Sequence, residues 1–433
     1  MIKLPKIGWG LFIWLFLSVG LTDRPKLDYL TDWILFTYFI YLKKIVRIIG
    51  LIVLLVSLWE EFYHSLFGYF YSHFCVSPMS NVYIATTKCL TAKLYDAEYI
   101  ADKFYPSQFF SKKINKLARR LAQSFGIKQR ALCIDLDKIP QNVLRTITEH
   151  PLFWCTHLVQ QVSQSILLSE IGYLGIAYNI SAHTDNLPNL ACQIAIQAGL
   201  KLEVMPEEFA NYGCAGGLFP LKSALKYCQK NEKAALVLVF DQCNYRSYHT
   251  QQLDSEIDLS MNLKTNLLFS DGAAAILLIP EQMKNYFEGS LAKVEEILIN
   301  FSLSNQIRFE NNRFVIEDTV KKQVPELVAK SVVKPLLIKT GISVSKIEEW
   351  CIHQGGSEVL KRFSEESVLG LTPLQLFQSQ QLFKQYGNFS APSSFFVLDS
   401  FRQKATRNQA RTWGMIVGFG AGFYQAALLY QWI

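Results

Sequence analysis

The sharpest local feature of the sequence is the stretch FANYGCAGGLFPLKSALKYC, residues 209–228. A turn of small residues that holds Cys214 leads directly into an apolar run with helical spacing. A thiol at the N-terminus of a helix meets free N–H groups and the positive end of the helix dipole, and both favour the thiolate. Gly213, Gly216 and Gly217 leave room for a substrate beside it. By itself the motif fits two interpretations equally: a nucleophilic cysteine, or a buried cysteine in a tight turn.

The composition is that of a large globular protein. Half of the 433 residues are apolar and 18% are charged, which is enough material for a sizeable buried core and two domains. The net charge of +7 is not concentrated in one basic tract, so the sequence indicates no nucleic-acid partner. The nine cysteines are scattered, without a CxxC pair or a histidine at zinc-ligand spacing. This pattern predicts no metal site and favours a reducing, cytoplasmic setting.

From Met79 onward, short apolar runs alternate with stretches of helical periodicity. Such alternation predicts a layered α/β fold with buried sheets. The predicted strands are residues 171–180, 234–240, 273–279, 395–398 and 415–418. The predicted helices are residues 110–124, 190–198, 220–229 and 324–339. The pattern is compatible with two similar halves, residues 79–255 and 256–433, which meet in the hydrophilic stretch 245–265.

Two polar segments further along the chain can stabilise negative charge on a thioester or enolate oxygen. In the first, a strand-like run ends on His353 and opens into Gly355 and Gly356. Strand ends of α/β sheets are common places for functional sites. In the second, Asn388 follows Gly387, and its amide can donate a hydrogen bond without titrating. Each has an ordinary alternative, because His353 can be a hydrogen-bonded structural residue and Asn388 a turn former.

In their order along the chain, these segments resemble the Cys-His-Asn set of a group of condensing enzymes. The group includes type III polyketide synthases, which are chalcone-synthase-like, and ketoacyl-carrier-protein synthase III. The resemblance covers essentially residues 79–433. It rests on five stretches: GCAGG at 213–217, LFSDGAAA at 268–275, HQGG at 353–356, YGNFS at 386–390 and WGMIVGFGAGF at 413–423. It implies a thiolase-like five-layer αβαβα fold of two similar halves, a homodimer, and an active site buried between the halves.

The resemblance also implies an acyltransferase mechanism. Cys214 would take an acyl starter from a coenzyme A or acyl-carrier-protein thioester. His353 and Asn388 would hold the thioester oxygen of a malonyl-type extender while it loses carbon dioxide, and the resulting enolate would attack the acyl-cysteine. His353, protonated or donating through Nε2, would also support the thiolate. The mechanism requires no metal and no redox cofactor.

The branch of the family is less sharply marked than the family itself. Residues 386–399 and the ending GFGAGFYQAALLYQW resemble type III polyketide synthases. The pair His353-Gln354 resembles the synthase III pattern instead, so a single condensation with the product left on a carrier protein is the alternative. An inactive paralogue that binds an acyl chain or acts as a scaffold is a third class. The presence of Cys214, His353 and Asn388 together argues against it.

Further substrate-binding residues follow from the resemblance. Arg120 lies on the basic stretch 112–120 and matches a position that contacts the phosphates of the carrier. Tyr245 is expected at a gatekeeping position near the acyl pocket. Gly420 and Gly422 belong to the closing glycine-rich loop.

Two residues depart from the family pattern. Ser270 stands where glycine is usual, and Ala421 stands where proline is usual. Phe269, next to Ser270, is expected in the core. These departures leave the shape of the cavity wall open.

The first 78 residues form an apolar extension with runs at 7–21, 33–42 and 48–59. Each run is shorter than the roughly 20 residues that a spanning helix needs. One interpretation is a membrane-associated hairpin or interfacial anchor over residues 7–59, with Lys43, Lys44 and Arg47 at the lipid surface. A second is that Met79 is the true start, and a third is a cleaved signal peptide. The three interpretations predict an extension that is membrane-associated or not part of the native chain.

Overall fold

The computed structural model describes residues 80–108, 110–139, 141, 143–183, 187–246, 256–310, 313–404 and 411–433, together with Ile40, Leu42 and Lys43. The chain divides into two compact units, Met1–Pro78 and Met79–Ile433. Apart from Ile40 and Leu42, the three apolar runs of the extension lie outside the described residues, so the interpretations of this region stay predictions. Within the described part of the chain, no helix is long and apolar enough to cross a membrane.

Strands and helices alternate along the second unit. The described strands are β1 Val82–Thr91, β2 Lys93–Asp96, β3 Gln129–Leu132, β4 Ile171–Tyr178, β5 Glu207–Ala210, β6 Ala234–Asp241, β7 Gly272–Pro280, β8 Ala292–Ser304, β9 Ile307–Glu310, β10 Arg313–Ile316, β11 Ile347–Ile352, β12 Trp413–Gly420 and β13 Gly422–Trp432. The described helices are α1 Ala97–Phe104, α2 Lys112–Phe125, α3 Pro151–Val162, α4 Leu190–Ala198, α5 Leu218–Cys228, α6 Glu256–Leu268, α7 Val320–Val328, α8 Lys334–Thr340, α9 Ser357–Arg362, α10 Pro373–Tyr386 and α11 Ser393–Lys404. A single π-helical segment, Ala329–Val333, joins α7 to α8.

The main sheet of the described region has 9 strands in the order β11-β12-β13-β8-β1-β7-β6-β4-β5. In the group from β5 to β1, strand β4 runs parallel to β5 and β6, and the remaining pairs are antiparallel. The group from β11 to β8 repeats this pattern, with one parallel pair followed by antiparallel pairs. The groups meet where Ile84 of β1 pairs with Ala292 of β8. Strand β7 lies beyond residue 256 in the chain and pairs with β1 and β6.

The strands of the first group are apolar on both faces because helices cover both faces. In β6, Leu236 and Leu238 pack in one core cluster with Trp154 of α3. Val237, which lies between them, packs in a second cluster with Leu221 of α5. Successive side chains of a strand point to opposite faces, so the sheet here has a helical layer on each side.

The second cluster also contains residues of the other strand group. Ile416 of β12 packs there together with Phe395 of α11, whereas Val417 packs in a third cluster with Val324 of α7. Helices α5 and α11 therefore lie between the two strand groups, and the other helices lie outside them. This arrangement is the five-layer αβαβα fold of two similar halves that the sequence predicted.

One predicted strand is wrong. Residues 395–398 form part of helix α11 rather than a strand. Because α11 lies in the middle layer, Phe395, Phe396, Val397 and Leu398 are all buried. A short run that is apolar on every side carries no periodicity that separates a buried helix from a buried strand. The other four predicted strands and the four predicted helices are confirmed.

Helix α10 closes the edge of the sheet at β11. It begins with a capping box in which Thr372 and Gln375 exchange hydrogen bonds, and Pro373 occupies the first turn. Gln375 donates to the carbonyl of Ile347 at 2.8 Å, and the Ser379 hydroxyl accepts from the amide of Ile352 at 3.1 Å. Side chains of α10 thus form hydrogen bonds with backbone groups of the edge strand β11, which His353 directly follows.

Candidate active site

Cys214, His353 and Asn388 line one cavity of about 670 Å³. The three residues come from separate parts of the fold. Cys214 lies in the turn before α5, His353 directly follows β11, and Asn388 lies between α10 and α11. The structure therefore brings together the three side chains that the sequence singled out.

Close backbone packing fixes the turn that carries Cys214. Gly213 has φ of +60°, and a Cβ at this position would lie 2.6 Å from the amide nitrogen of Ala421. A Cβ on Gly420 would lie 2.2 Å from the amide nitrogen of Cys214. Both distances are shorter than any real contact of a Cβ atom, so only glycine fits at the two positions. Gly420 and Ala421 thereby pack closely against the backbone of Gly213 and Cys214.

Burial and a hydrogen bond act in opposite directions on the pKa of the Cys214 thiol. The residue lies in a 3₁₀ turn, Gly213–Ala215, and the α-helix begins after it, at Leu218. Burial raises the pKa of Cys214 to about 12, and a hydrogen bond with Ser390 lowers it by a smaller amount. Desolvation of the negative charge acts against the effect that the sequence predicted for the helix N-terminus.

Ser390 is a site residue to which sequence reasoning assigned no role. Its Oγ lies 3.3 Å from Sγ of Cys214, and its φ is +60°. The Ser390 amide donates to Oδ1 of Asn388 at 2.7 Å. Its position two residues after Asn388 in the YGNFS stretch was the available signal. Ser390 therefore connects the nucleophile with the amide that the sequence singled out.

His353 is a neutral imidazole in this site. Its backbone amide donates to the carbonyl of Val417 at 2.9 Å, and its ring packs edge-on against Phe419, with centroids 5.0 Å apart. Burial lowers the pKa of His353 to about 3, although a hydrogen bond to the backbone of Ser390 acts in the opposite direction. Its buried Nδ1 has no hydrogen-bond partner among the described residues. Of the two forms that the sequence left open, the structure favours the neutral one.

The side chain of Asn388 is held by its oxygen. Oδ1 accepts from the Ser390 amide and from the Ser393 hydroxyl, the latter at 3.3 Å. The backbone of Asn388 forms a parallel bridge with Phe269. Within the described region the amide nitrogen has no hydrogen-bond acceptor, so its N–H groups are available to a molecule in the cavity.

The other predicted binding residues lie in different surroundings. Gly420 lines the cavity, but Gly422 is not among the lining residues. Arg120 is exposed on α2 and does not line the cavity either. Tyr245 is partly buried and packs against the first core cluster, outside the cavity lining. Phe269 is buried as expected and also forms part of the wall.

An aromatic wall that sequence reasoning missed faces the cavity. Phe314, on the hairpin of β9 and β10, stacks on Phe269 with centroids 4.3 Å apart and packs edge-on against Phe309 at 5.0 Å. Ile316 and Val320 extend this wall. The spacing of the hairpin residues did not predict that they line the same cavity as Cys214, because the hairpin lies about 100 residues further along the chain.

Charged side chains also line the cavity, and they include both signs. Lys264 pairs with Asp318 at 3.6 Å, and Arg308 pairs with Glu317 at 3.7 Å. In the described part of the chain, no cluster of three or more His, Cys, Asp or Glu side chains could hold a metal ion.

Comparisons with known proteins concern the C-terminal part of the sequence and the fold. Residues 295–433 match the family described as chalcone and stilbene synthases, C-terminal domain. The fold is similar to that of PKS-I from the brown alga Ectocarpus siliculosus, with a TM-score of 0.65 and 17% identity over 83% of this chain and 100% of that one. It is also similar to the C-terminal type III polyketide synthase domain of Steely1, a type I/III hybrid from Dictyostelium, with a TM-score of 0.63 and 19% identity over 81% of this chain and 99% of that one. The resemblance to chalcone-synthase-like proteins of the thiolase superfamily, first seen in the sequence, is confirmed.

Proposed function

We propose that this thiolase-superfamily protein is a type III polyketide synthase-like acyltransferase that catalyses decarboxylative Claisen condensation through an acyl-Cys214 intermediate. The observation that carries the proposal is the meeting of Cys214, His353 and Asn388 in one largely apolar cavity. A nucleophilic thiol, a neutral base and an uncharged hydrogen-bond donor are the groups that this reaction needs.

The first half-reaction loads the starter. The Cys214 sulfur attacks the carbonyl carbon of an acyl thioester while the neutral imidazole of His353 takes the thiol proton. The tetrahedral intermediate collapses, the original carbon–sulfur bond breaks, and the departing thiolate takes the proton from His353. His353 lines the same cavity as Cys214, and a neutral imidazole has a ring nitrogen that can accept this proton. The product is acyl-Cys214 and a free carrier thiol.

The second half-reaction forms the carbon–carbon bond. The carboxylate of a malonyl thioester leaves as carbon dioxide, and the electron pair of the broken bond becomes an enolate. The amide N–H groups of Asn388 and the imidazole of His353 stabilise the negative charge on the enolate oxygen. The enolate carbon attacks the carbonyl of acyl-Cys214, the carbon–sulfur bond breaks, and the Cys214 thiolate takes a proton from solvent. The apolar part of the cavity wall would reduce the solvation of the malonyl carboxylate as it enters, which favours its loss as carbon dioxide.

The walls indicate an apolar starter. Phe269, Phe309 and Phe314 face the space beside Cys214, and each methylene that leaves water for such a surface contributes about 0.8 kcal/mol to binding. We expect coenzyme A as the carrier of both substrates, with Arg120 contacting its phosphates outside the cavity. Tyr245 is expected near the entrance to the acyl pocket, and an acyl carrier protein is the alternative donor. We also expect a cytoplasmic homodimer, with or without a membrane contact made by residues 7–59.

Three single variants and the wild type test the proposal. Purified protein is incubated with an acyl-CoA and malonyl-CoA; the acyl adduct is followed by intact mass, and released products by chromatography. Wild type is expected to release pyrones or alkylresorcinols. Cys214→Ala should lose the adduct but still decarboxylate malonyl-CoA, because His353 and Asn388 remain. Asn388→Ala should form the adduct but decarboxylate malonyl-CoA at a much lower, still measurable rate, and His353→Ala should lose both activities.

Two results would decide against this function. A ketoacyl chain that appears only with malonyl-carrier protein, and stays bound to it, would indicate the single-condensation chemistry of the synthase III branch. An absence of both the Cys214 adduct and decarboxylation in the wild type would contradict catalysis altogether and favour an acyl-binding or scaffolding role.

A further inference from the structure

Ser270 is a fully buried serine behind the cavity wall, at a position where the family resemblance leads us to expect glycine. Its hydroxyl makes two hydrogen bonds. Oγ accepts from the backbone amide of Ala131 at 3.1 Å, and it donates to the backbone carbonyl of Tyr386. One side chain thus joins strand β3 to the end of helix α10.

Both backbone groups need a partner at this place. Tyr386 is the last residue of α10, and the last carbonyls of a helix have no N–H partner within the helix. The amide of Ala131 is buried, since Ala131 is inaccessible to solvent. A buried amide or carbonyl that loses its partner destabilises the structure that contains it. The hydroxyl of Ser270 therefore provides a hydrogen-bond partner for both the Ala131 amide and the Tyr386 carbonyl. Glycine has no side chain and would provide neither.

The same residue also holds the next part of the chain. The backbone amide of Ser270 donates to the carbonyl of Asn388 at 2.8 Å, and the amide of Asn388 donates to the carbonyl of Leu268 at 3.1 Å. Only Gly387 separates Tyr386 from Asn388. Ser270 thus binds the chain on both sides of Gly387, through its hydroxyl on one side and its amide on the other.

We propose that Ser270 is a positioning residue for Asn388, and that its hydroxyl sets where the Asn388 amide stands in the cavity. The inference rests on the proposed function, in which Asn388 serves the extender and not the loading of the starter. Without the hydroxyl, the Tyr386 carbonyl is released and the segment that carries Asn388 can shift. A shift of about 1 Å in a group that stabilises a transition state costs about a hundredfold in rate.

The test separates the two half-reactions. Ser270→Ala and Ser270→Gly are compared with wild type for kcat and KM of malonyl-CoA decarboxylation, and for the rate of Cys214 acylation by intact mass. Both variants are expected to lower the kcat of decarboxylation about tenfold to a hundredfold, to change KM little, and to leave acylation within about twofold. Ser270→Gly introduces the residue that is usual in the family, so both rates can still be measured in this variant if Ser270→Ala folds poorly.

A matched control and a double variant complete the test. Ser331→Ala removes a hydroxyl that bonds only to the carbonyl of Leu327 in its own helix, and it should alter neither rate. Adding Ser270→Ala to Asn388→Ala should lower decarboxylation no further, because the amide that Ser270 positions is already gone. An equal loss in both backgrounds, or an equal loss in acylation, would overturn the inference while the proposed function stands. A wild type without decarboxylation would overturn the function itself and the inference with it.

Discussion

Sγ of Cys214 and Oγ of Ser390 lie 3.3 Å apart, although 176 residues separate them in the chain. Ser390 also binds Asn388 through its backbone amide. Ser390 thereby contacts both Cys214 and Asn388.

We expect removal of the Ser390 hydroxyl to slow loading of the starter. The hydrogen bond lowers the pKa of Cys214, so Ser390→Ala should raise that pKa further and reduce the thiolate available at neutral pH. The expected result is a decrease of about tenfold in the rate of Cys214 acylation at pH 7, measured by intact mass.

Two further variants isolate the hydroxyl. Ser390→Gly also removes it and suits the φ of +60°, so a loss shared by both variants comes from the hydroxyl and not from backbone strain. Ser400→Ala, which removes a hydroxyl bonded to Val397 within α11, should leave acylation unchanged. Unaltered acylation in both Ser390 variants would show that the contact is without consequence.

The reactivity of Cys214 should rise with pH without a plateau near neutrality. Burial holds its pKa at about 12, above the ordinary value, so the thiol stays protonated at neutral pH and the thiolate fraction grows about tenfold per pH unit up to that value. Because the pKa of His353 is lowered to about 3, the imidazole does not become charged between pH 5 and 9, and no thiolate–imidazolium pair forms there.

Iodoacetamide alkylation of Cys214, followed by peptide mass, measures this dependence. Cys192, partly buried on α4, is the internal reference for reagent concentration and exposure time. An alkylation rate that is flat from about pH 6 to 8 would contradict the prediction, since it would reveal a thiolate already formed by an ion pair with His353.

The outcome for Cys214 illustrates what the sequence could and could not predict. The turn, the glycines and the following helix are local features, so they were predicted from residues 209–228 alone. The protonation state depends on Ser390 and on burial by segments distant in the chain, which no local pattern contains. His353 and Asn388 were found for the same local reason, because a strand end and a glycine-flanked turn carry them. Ser270 was noticed only as a departure from the family pattern, and its hydrogen bonds with Ala131 and Tyr386 were not predicted.

The misassigned segment has a related cause. Phe395 and Val397 lie in a helix that is covered by both strand groups, so all four residues of the run 395–398 are buried. Propensity and periodicity assign such a short run to a strand, whereas the tertiary layer makes it a helix. The aromatic wall was missed because contact between Phe269 and Phe314 depends on where the hairpin folds back, which is also a tertiary property.

Gly420→Ala should disturb Cys214 directly. The new Cβ would lie 2.2 Å from the amide nitrogen of Cys214, so one of the two backbones must move. Overpacking of this kind costs about 1–3 kcal/mol in the free energy of unfolding. We expect a loss of that size in chemical denaturation, together with a decrease of about a hundredfold in Cys214 acylation. Gly289→Ala is the matched control, since no atom lies within 4 Å of the new Cβ. Equal acylation in the two variants would contradict the close packing of the nucleophile turn.

The aromatic wall should determine which acyl starters are transferred to Cys214 most efficiently. Phe314 stacks on Phe269 and touches Phe309, so Phe314→Ala opens space at the centre of the wall. Bulky or branched acyl groups should gain relative to linear ones, and the ratio of their kcat/KM values for Cys214 acylation should rise about tenfold. Phe314→Trp narrows the same space and should move the ratio in the opposite direction. Phe301→Ala removes an exposed ring from β8 and should leave the ratio unchanged. Because the ratio compares two starters in one protein, a general loss of folded enzyme cancels, and only a change in the shape of the wall can move it in opposite directions in the two Phe314 variants.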